Sequence, residues 1–169
     1  IGYHFGSKRA LYDATVQRFQ PEAIADYFPE IPDPSDMTRE QAVKLFREFV
    51  ATFVSIKARV GENPHVAMSY IEGEGAHGGA PNPSFYKKVI VPGHSALRRL
   101  IEAIRPDIHD DLVLETLTFN VIGQCLMLRI GRGILLKRLG LRTLSPEVTE
   151  TIAHSITEVA IRGLEDAEF

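Results

Sequence analysis

The sequence has few cysteines and no excess of positive charge. One residue in 169 is a cysteine, Cys125, so an internal disulfide cannot form and a secreted disulfide framework is excluded. Nineteen basic against 22 acidic side chains leave a formal net charge of -3, so the chain as a whole has no general attraction for nucleic acid. With 44% hydrophobic residues, the chain can bury its own core without a metal or cofactor, and we expect it in a reducing cytoplasm.

The sequence also lacks the alternation of apolar and polar residues that β-strands require. Apolar residues recur instead at spacings of three and four, so the fold is predicted to be an all-α helical bundle. The longest apolar stretch, 112–130, is interrupted by Glu115, Asn120, Gln124 and Arg129. An acidic residue inside a bilayer is costly, so we predict that this stretch does not span a membrane and that the protein has no membrane partner.

Six helices are predicted, joined by connectors rich in proline or glycine. The first begins after the N-cap residue Ser7 and ends near Phe19. The others are expected at about 38–60, 64–71, 85–104 with a kink at Pro92-Gly93, 110–136 and 146–164.

The predicted helix 110–136 is apolar on nearly all sides. Such a helix must be covered all round, and in a body of this size the simplest cover is a second copy of the chain, so a homodimer is expected. Five basic residues and no acid lie between Leu126 and Arg142, whereas the last helix is rich in acids. These two clusters are either solvated surface or partners of each other across a dimer.

The N-terminal segment Tyr3-His4-Phe5-Gly6-Ser7-Lys8 combines aromatic and imidazole side chains, a glycine turn and a helix start with lysine in its first turn. Helix-starting amides carry partial positive charge, and Lys8 adds a full charge. The arrangement therefore suits contact with phosphate, although an aromatic cluster that caps an ordinary helix is the simpler alternative.

This segment, from Ile1 to Leu11, resembles the end of the helix-turn-helix of TetR-family transcriptional regulators. A second resemblance lies in the C-terminal half, where Gly123-Gln124-Cys125-Leu126, the basic stretch to Arg142 and Ile161-Arg162-Gly163-Leu164 are similar to the C-terminal domain of CecR-like members of that family. The chain begins with Ile1 and has no initiator methionine, so we expect that the rest of the helix-turn-helix precedes it.

The resemblance implies a division into 1–19, the end of the DNA-binding domain with its linking helix, and 20–169, a ligand-binding and dimerisation domain. It implies a repressor that leaves its operator DNA when a lipophilic or drug-like inducer binds, and that controls efflux or stress genes. Tyr3, His4 and Lys8 would then contact DNA. The last two helices would form the homodimer, with interface residues Leu126, Ile130, Ile152, Ile156, Val159 and Gly163.

Phe46, Phe49 and Phe53 form an apolar stripe that either walls a ligand pocket or belongs to the plain core. The other candidate ligand-binding residues are Met68, Ile71, His94, Leu97, Asn120 and Gln124. The two amides lie one turn apart on an apolar helix and require hydrogen-bond partners, which are either the other subunit or a ligand.

No metal or enzyme motif is evident. Glu72, Glu74 and His77 lie close together, but four glycines surround them, so a solvated loop is favoured over a metal site. Cys125 lacks a framing nucleophile motif and is interpreted as a buried inert thiol. The alternative functions are a helical small-molecule-binding or enzymatic domain without DNA binding, and a purely structural dimerisation module without a cavity.

Overall fold

The computed structural model describes Gly6 and residues 30–60 and 86–168. All regular secondary structure in this part of the chain is helical and it contains no strand, so the all-α prediction is confirmed. A short 3-10 turn at Pro34–Asp36 is followed by five α-helices: α1 (Arg39–Val60), α2 (Val91–Ile104), α3 (Asp111–Ile130), α4 (Arg132–Leu139) and α5 (Pro146–Asp166). The predicted helices at 7–19 and 64–71 lie outside the described residues.

Helix α1 begins with a reciprocal cap. The Thr38 amide donates a hydrogen bond to Gln41 Oε1 over 2.8 Å, and the Gln41 amide donates to Thr38 Oγ1 over 3.2 Å. These two bonds satisfy amides that have no partner within the helix. The predicted start near Thr38 is therefore confirmed to within a residue.

A π-helix over Tyr86–Ile90 leads into α2, and Pro92 occupies the first turn of α2. Proline has no amide hydrogen to donate, so it fits at a helix start and disturbs the helical turn that precedes it. The described part of the predicted helix, 86–104, is thus helical, and it changes from π to α geometry between Ile90 and Val91, just before the Pro92-Gly93 pair.

The prediction of one continuous helix over 110–136 is wrong, because that segment divides at Gly131 into α3 and α4. The Gly131 amide still bonds to Met127 O, at 2.7 Å, but its backbone leaves helical geometry. A Cβ atom built on Gly131 would lie only 3.0 Å from that same oxygen, so the tight turn between the two helices favours glycine.

The core is centred on α1, which contacts α2, α3 and α5. The most deeply buried side chains of the core include Phe46, Phe49, Val50, Val54, Leu97, Leu100 and Ile101. Helix α5, whose Val148 amide donates a hydrogen bond to the N-cap Ser145 Oγ, adds Ala153, Ile161 and Leu164 to this core.

Polar contacts fix the ends of the bundle. Arg105, after α2, donates to main-chain oxygens at the end of α5, whereas Arg132, at the start of α4, donates to Ala58 O near the end of α1 over 2.8 Å. Helix α4 therefore lies at the end of the bundle where α1 finishes and α5 starts.

Candidate ligand-binding region and dimer face

The three phenylalanines of α1 are placed differently from one another. Phe46 and Phe49 are buried in the core, while Phe53 is half-buried, with its ring centroid 6.1 Å from that of Phe49. Leu97 of α2 is also buried in this cluster. Of these four predicted ligand-binding residues, only Phe53 has a partly accessible side chain in the described chain.

Lys57, which sequence reasoning did not select, lies one turn after Phe53 and is only 9% exposed. Its Nζ atom lies 4.8 Å from the centroid of the Phe53 ring, a cation-π arrangement. Burial is unusual for lysine, since the charged ammonium loses hydration. The signal in the sequence was a lysine that continues the apolar stripe of Phe46, Phe49 and Phe53 at helical spacing.

His94 of α2 contacts two residues of α3. Its Nε2 atom lies 3.3 Å from Glu115 Oε2, and its ring meets Phe119 edge-on at a centroid distance of 6.1 Å. Glu115 also accepts a 2.5 Å hydrogen bond from Arg98, which binds Glu102 and Asp111 as well. Hydrogen bonds with these three carboxylates raise the pKa of Arg98 above its ordinary value. His94 therefore lies at the edge of a cluster of paired charges.

Asn120 and Gln124 are exposed on the surface of α3 in the single chain. They lie beside a stripe of residues spaced by three or four positions, most of them large and apolar. The stripe comprises Leu112, Thr116, Phe119, Gly123, Met127 and Ile130, and Ile134 of α4 follows it. Phe119 is 67% exposed and Ile130 59%, so the single chain leaves an apolar face uncovered.

Helix α5 also leaves some apolar surface accessible. Val159 is 60% exposed, and Gly163 is exposed with no atom within 4 Å of the place where a Cβ would lie. Ile152 and Ile156 are half-buried and pack against the core with part of their surface. Leu126 of α3 is half-buried too, so the six predicted interface residues all retain accessible surface.

A groove of about 440 Å³ lies between α1 and α5. Small side chains form much of its wall, with charged or polar groups at its rim. Its lining consists of Arg47, Ala51, Ser55, Ala58, Leu144, Pro146, Thr149, Glu150, Ala153, His154 and Thr157. None of the predicted ligand-binding residues lines it.

Several predictions fall outside the described residues. These are the DNA contacts of Tyr3, His4 and Lys8, the ligand contacts of Met68 and Ile71, and the disfavoured metal group of Glu72, Glu74 and His77. Among the residues the structure does describe, no group of three histidine, cysteine or acidic residues could hold a metal ion.

One described helix, over Asp111–Leu128, is long and apolar enough to cross a membrane by length and composition alone. Only 28% of that segment is buried in the single chain, and Glu115 within it forms an ion pair with Arg98 of α2.

Comparison with known proteins defines the class as that of helix-turn-helix transcriptional regulators. The family model for the C-terminal domain of the HTH-type transcriptional dual regulator CecR matches residues 42–165, which include most of α1 and nearly all of α5. The HTH-type transcriptional dual regulator CecR of Shigella flexneri is 30% identical over 179 residues, covering 97% of this chain and 77% of that protein. The chain therefore belongs to the CecR group of TetR-family regulators, and the predicted resemblance is confirmed.

Proposed function

We propose that this protein is a transcriptional repressor that binds operator DNA as a homodimer and leaves it when a small lipophilic inducer binds. Membership of a family of transcriptional regulators supports the DNA-binding part of the proposal. The genes it controls would be efflux or stress genes, and the protein would act in the cytoplasm. The Shigella flexneri relative is called a dual regulator, so activation at some promoters belongs to the same proposal.

The uncovered apolar face is the main observation that supports a homodimer. Phe119, Met127 and Ile130 of α3 and Val159 of α5 are each more than half exposed, which is costly for a single chain in water. A second copy that packs the same face against it would bury all of these side chains by two-fold symmetry. Asn120 and Gln124 border this face, which favours the partner subunit over a ligand as the group that satisfies them.

The inducer would bind beside α1, α2 and α3. Phe53 and His94 are the predicted ligand-binding residues there that keep accessible surface, and Lys57 lies next to Phe53. Binding can release DNA only if the inducer prefers the arrangement of the two subunits that does not fit the operator. A change at His94 would pass to α3 through Glu115 and Phe119, and α3 carries much of the proposed dimer face.

The experiment that tests this function is fluorescence anisotropy of the full-length protein on DNA from upstream of its own gene, compared with a scrambled duplex of equal length. Tight binding that is selective for the first duplex and weakens with salt is expected. A panel of lipophilic drugs is then screened for compounds that raise the Kd of the selective complex.

Equal weak binding to both duplexes would contradict repression at that promoter. If the protein then bound no tested genomic fragment selectively but still bound a small molecule, the alternative of a helical ligand-binding or enzymatic domain without DNA binding would be favoured.

A further inference from the structure

Three cations lie close together at the end of the bundle formed by α4 and the loop after it. Lys137, Arg138 and Arg142 are all exposed, and we call these three residues the basic surface. None of the three forms an ion pair within residues 30–60 and 86–168. The negative partner of this surface is therefore not found in the part of the chain that the structure describes.

Several other arginines of the bundle pair with carboxylates. Arg39 and Arg47 of α1 pair with Glu165 and Glu158 of α5, Arg98 contacts three carboxylates, and Arg105 pairs with Asp107. These ion pairs hold helices or helix ends together. The basic surface holds no helices together through ion pairs in the described residues, although the chain has 22 acidic residues that could have supplied partners.

The first acid that follows in the sequence, Glu147, is engaged at the start of α5. Glu147 lies in the first turn of α5, and a hydrogen bond with Ser145 lowers its pKa. A carboxylate at that place also interacts favourably with the positive end of the helix dipole. Because Glu147 stabilises its own helix, it leaves the charge of the basic surface uncompensated.

We propose that the basic surface binds phosphates of the DNA that flanks the operator, as an accessory contact made by the regulatory domain. This inference rests on the proposed function, since it requires that the protein first be held on DNA. Helix α4 has eight residues and is about 12 Å long, a length over which duplex DNA presents about seven phosphate charges. Three exposed cations on such a helix and its loop can each contact one of these phosphates without reading any base.

An anionic lipid surface is one competing partner, because Ile134, Leu139 and Leu141 are exposed near the same cations, and the acid-rich last helix of a second copy is another. DNA is favoured for two reasons. The chain belongs to a family of transcriptional regulators, so DNA is a polyanion that it meets at high local concentration. Ile134 also continues the apolar stripe of α3, so the proposed dimer accounts for it without a membrane.

The test uses the full-length protein and two duplexes that share the operator, one limited to it and one extended by about 15 base pairs on each side. The triple variant Lys137→Gln, Arg138→Gln, Arg142→Gln removes the basic surface, and Lys44→Gln, which removes one exposed cation of α1, is the control for loss of surface charge elsewhere. The Kd is measured by anisotropy at several salt concentrations. On the extended duplex, the slope of log K against log salt is expected to fall by about 3 per subunit in the triple variant, since each phosphate contact contributes about 0.9.

On the short duplex, wild type and triple variant are expected to bind alike, because the flanking phosphates are missing. Identical slopes on the extended duplex would overturn the accessory contact, and so would an equal loss on both duplexes. Binding to phosphatidylglycerol vesicles that the triple variant loses, with unchanged DNA slopes, would assign the surface to a membrane instead. If wild type binds neither duplex selectively, the proposed function itself fails, and this result differs from selective binding with an unchanged salt slope, which contradicts only the accessory contact. Unfolding followed by circular dichroism shows whether the variants retain the wild-type fold.

Discussion

Arg105 at the end of α2 donates hydrogen bonds to the main-chain oxygens of Leu164 and Ala167 at the end of α5. It thereby satisfies carbonyl groups that the last turn of α5 leaves without helical partners. Asp107 holds the guanidinium in place through a second pair of hydrogen bonds, and this contact lowers the pKa of Asp107 to about 2. One arginine thus joins two helix ends that are 59 residues apart in the sequence.

We expect Arg105→Ala to lower the free energy of unfolding by about 2 kcal/mol, because charged hydrogen bonds to otherwise unsatisfied carbonyls are lost. Lys44→Ala is the control: Lys44 is exposed and pairs with Glu48 only at 3.9 Å, so a change below about 0.5 kcal/mol is expected. Urea unfolding followed by circular dichroism measures both. Equal stability of the two variants would show that Arg105 does not hold α5 in place.

Acid should weaken the contact between α1 and α5. The Arg47 guanidinium lowers the pKa of Glu158 below its ordinary value of 4.5, so the ionised form is favoured in the folded chain. The stabilisation is complete above pH 4.5 and is lost as the pH falls through the folded-state pKa. We expect Glu158→Gln to have a lower Tm than wild type at pH 7 and the difference to shrink below pH 4.5. A difference that stays constant down to pH 3 would contradict this origin.

Gly140 ends α4 with a φ of 67°, in the left-handed region where side chains are strained. Gly140→Ala is expected to destabilise the chain by about 1 kcal/mol. Gly133 lies within the same helix with open space around it, so Gly133→Ala is expected to stabilise by about 0.5 to 1 kcal/mol. Urea unfolding of the pair should give shifts of opposite sign, and shifts of the same sign would contradict the helix end at Gly140.

Cys125 is completely buried, and burial raises the pKa of its thiol to about 12. The thiolate that reacts with disulfide reagents is then almost absent at neutral pH. We expect the reaction with a chromogenic disulfide to require unfolding and to become rapid only in denaturant. Rapid modification in native buffer would instead indicate an opening of the core next to Lys57.

The helical character of the fold and several helix boundaries could be predicted from the sequence, because they depend on local signals. Thr38, Pro92 and Ser145 act through backbone groups within a few residues of themselves, so spacing and residue type are sufficient. The break at Gly131 was missed for the opposite reason. A glycine inside an apolar run has the same local signature whether the helix continues or turns. The turned arrangement seen here is held by a contact distant in sequence, the hydrogen bond from Arg132 of α4 to Ala58 O near the end of α1.

The candidate site was less predictable than the fold. Phe46, Phe49 and Phe53 form one stripe in the sequence, but the neighbouring helices α2 and α3 bury the first two and leave the third partly accessible. Asn120 and Gln124 were expected to need buried partners, whereas in the single chain both are exposed. An apolar helix at a subunit surface and one in a core share the same composition, so only the fold separates them.

Gly163→Arg tests the proposed dimer face most directly. No atom lies within 4 Å of a Cβ at this position, so a single chain accommodates the arginine, and loss of a helical glycine is expected to raise its stability slightly. A second copy packed closely against α5 would instead meet a long charged side chain, and we expect the variant to be a monomer by light scattering. Gly163→Ala, which keeps a small side chain, should remain dimeric. A Gly163→Arg protein with the dimer mass would move the interface away from this part of α5, whatever partner then covers Phe119 and Ile130.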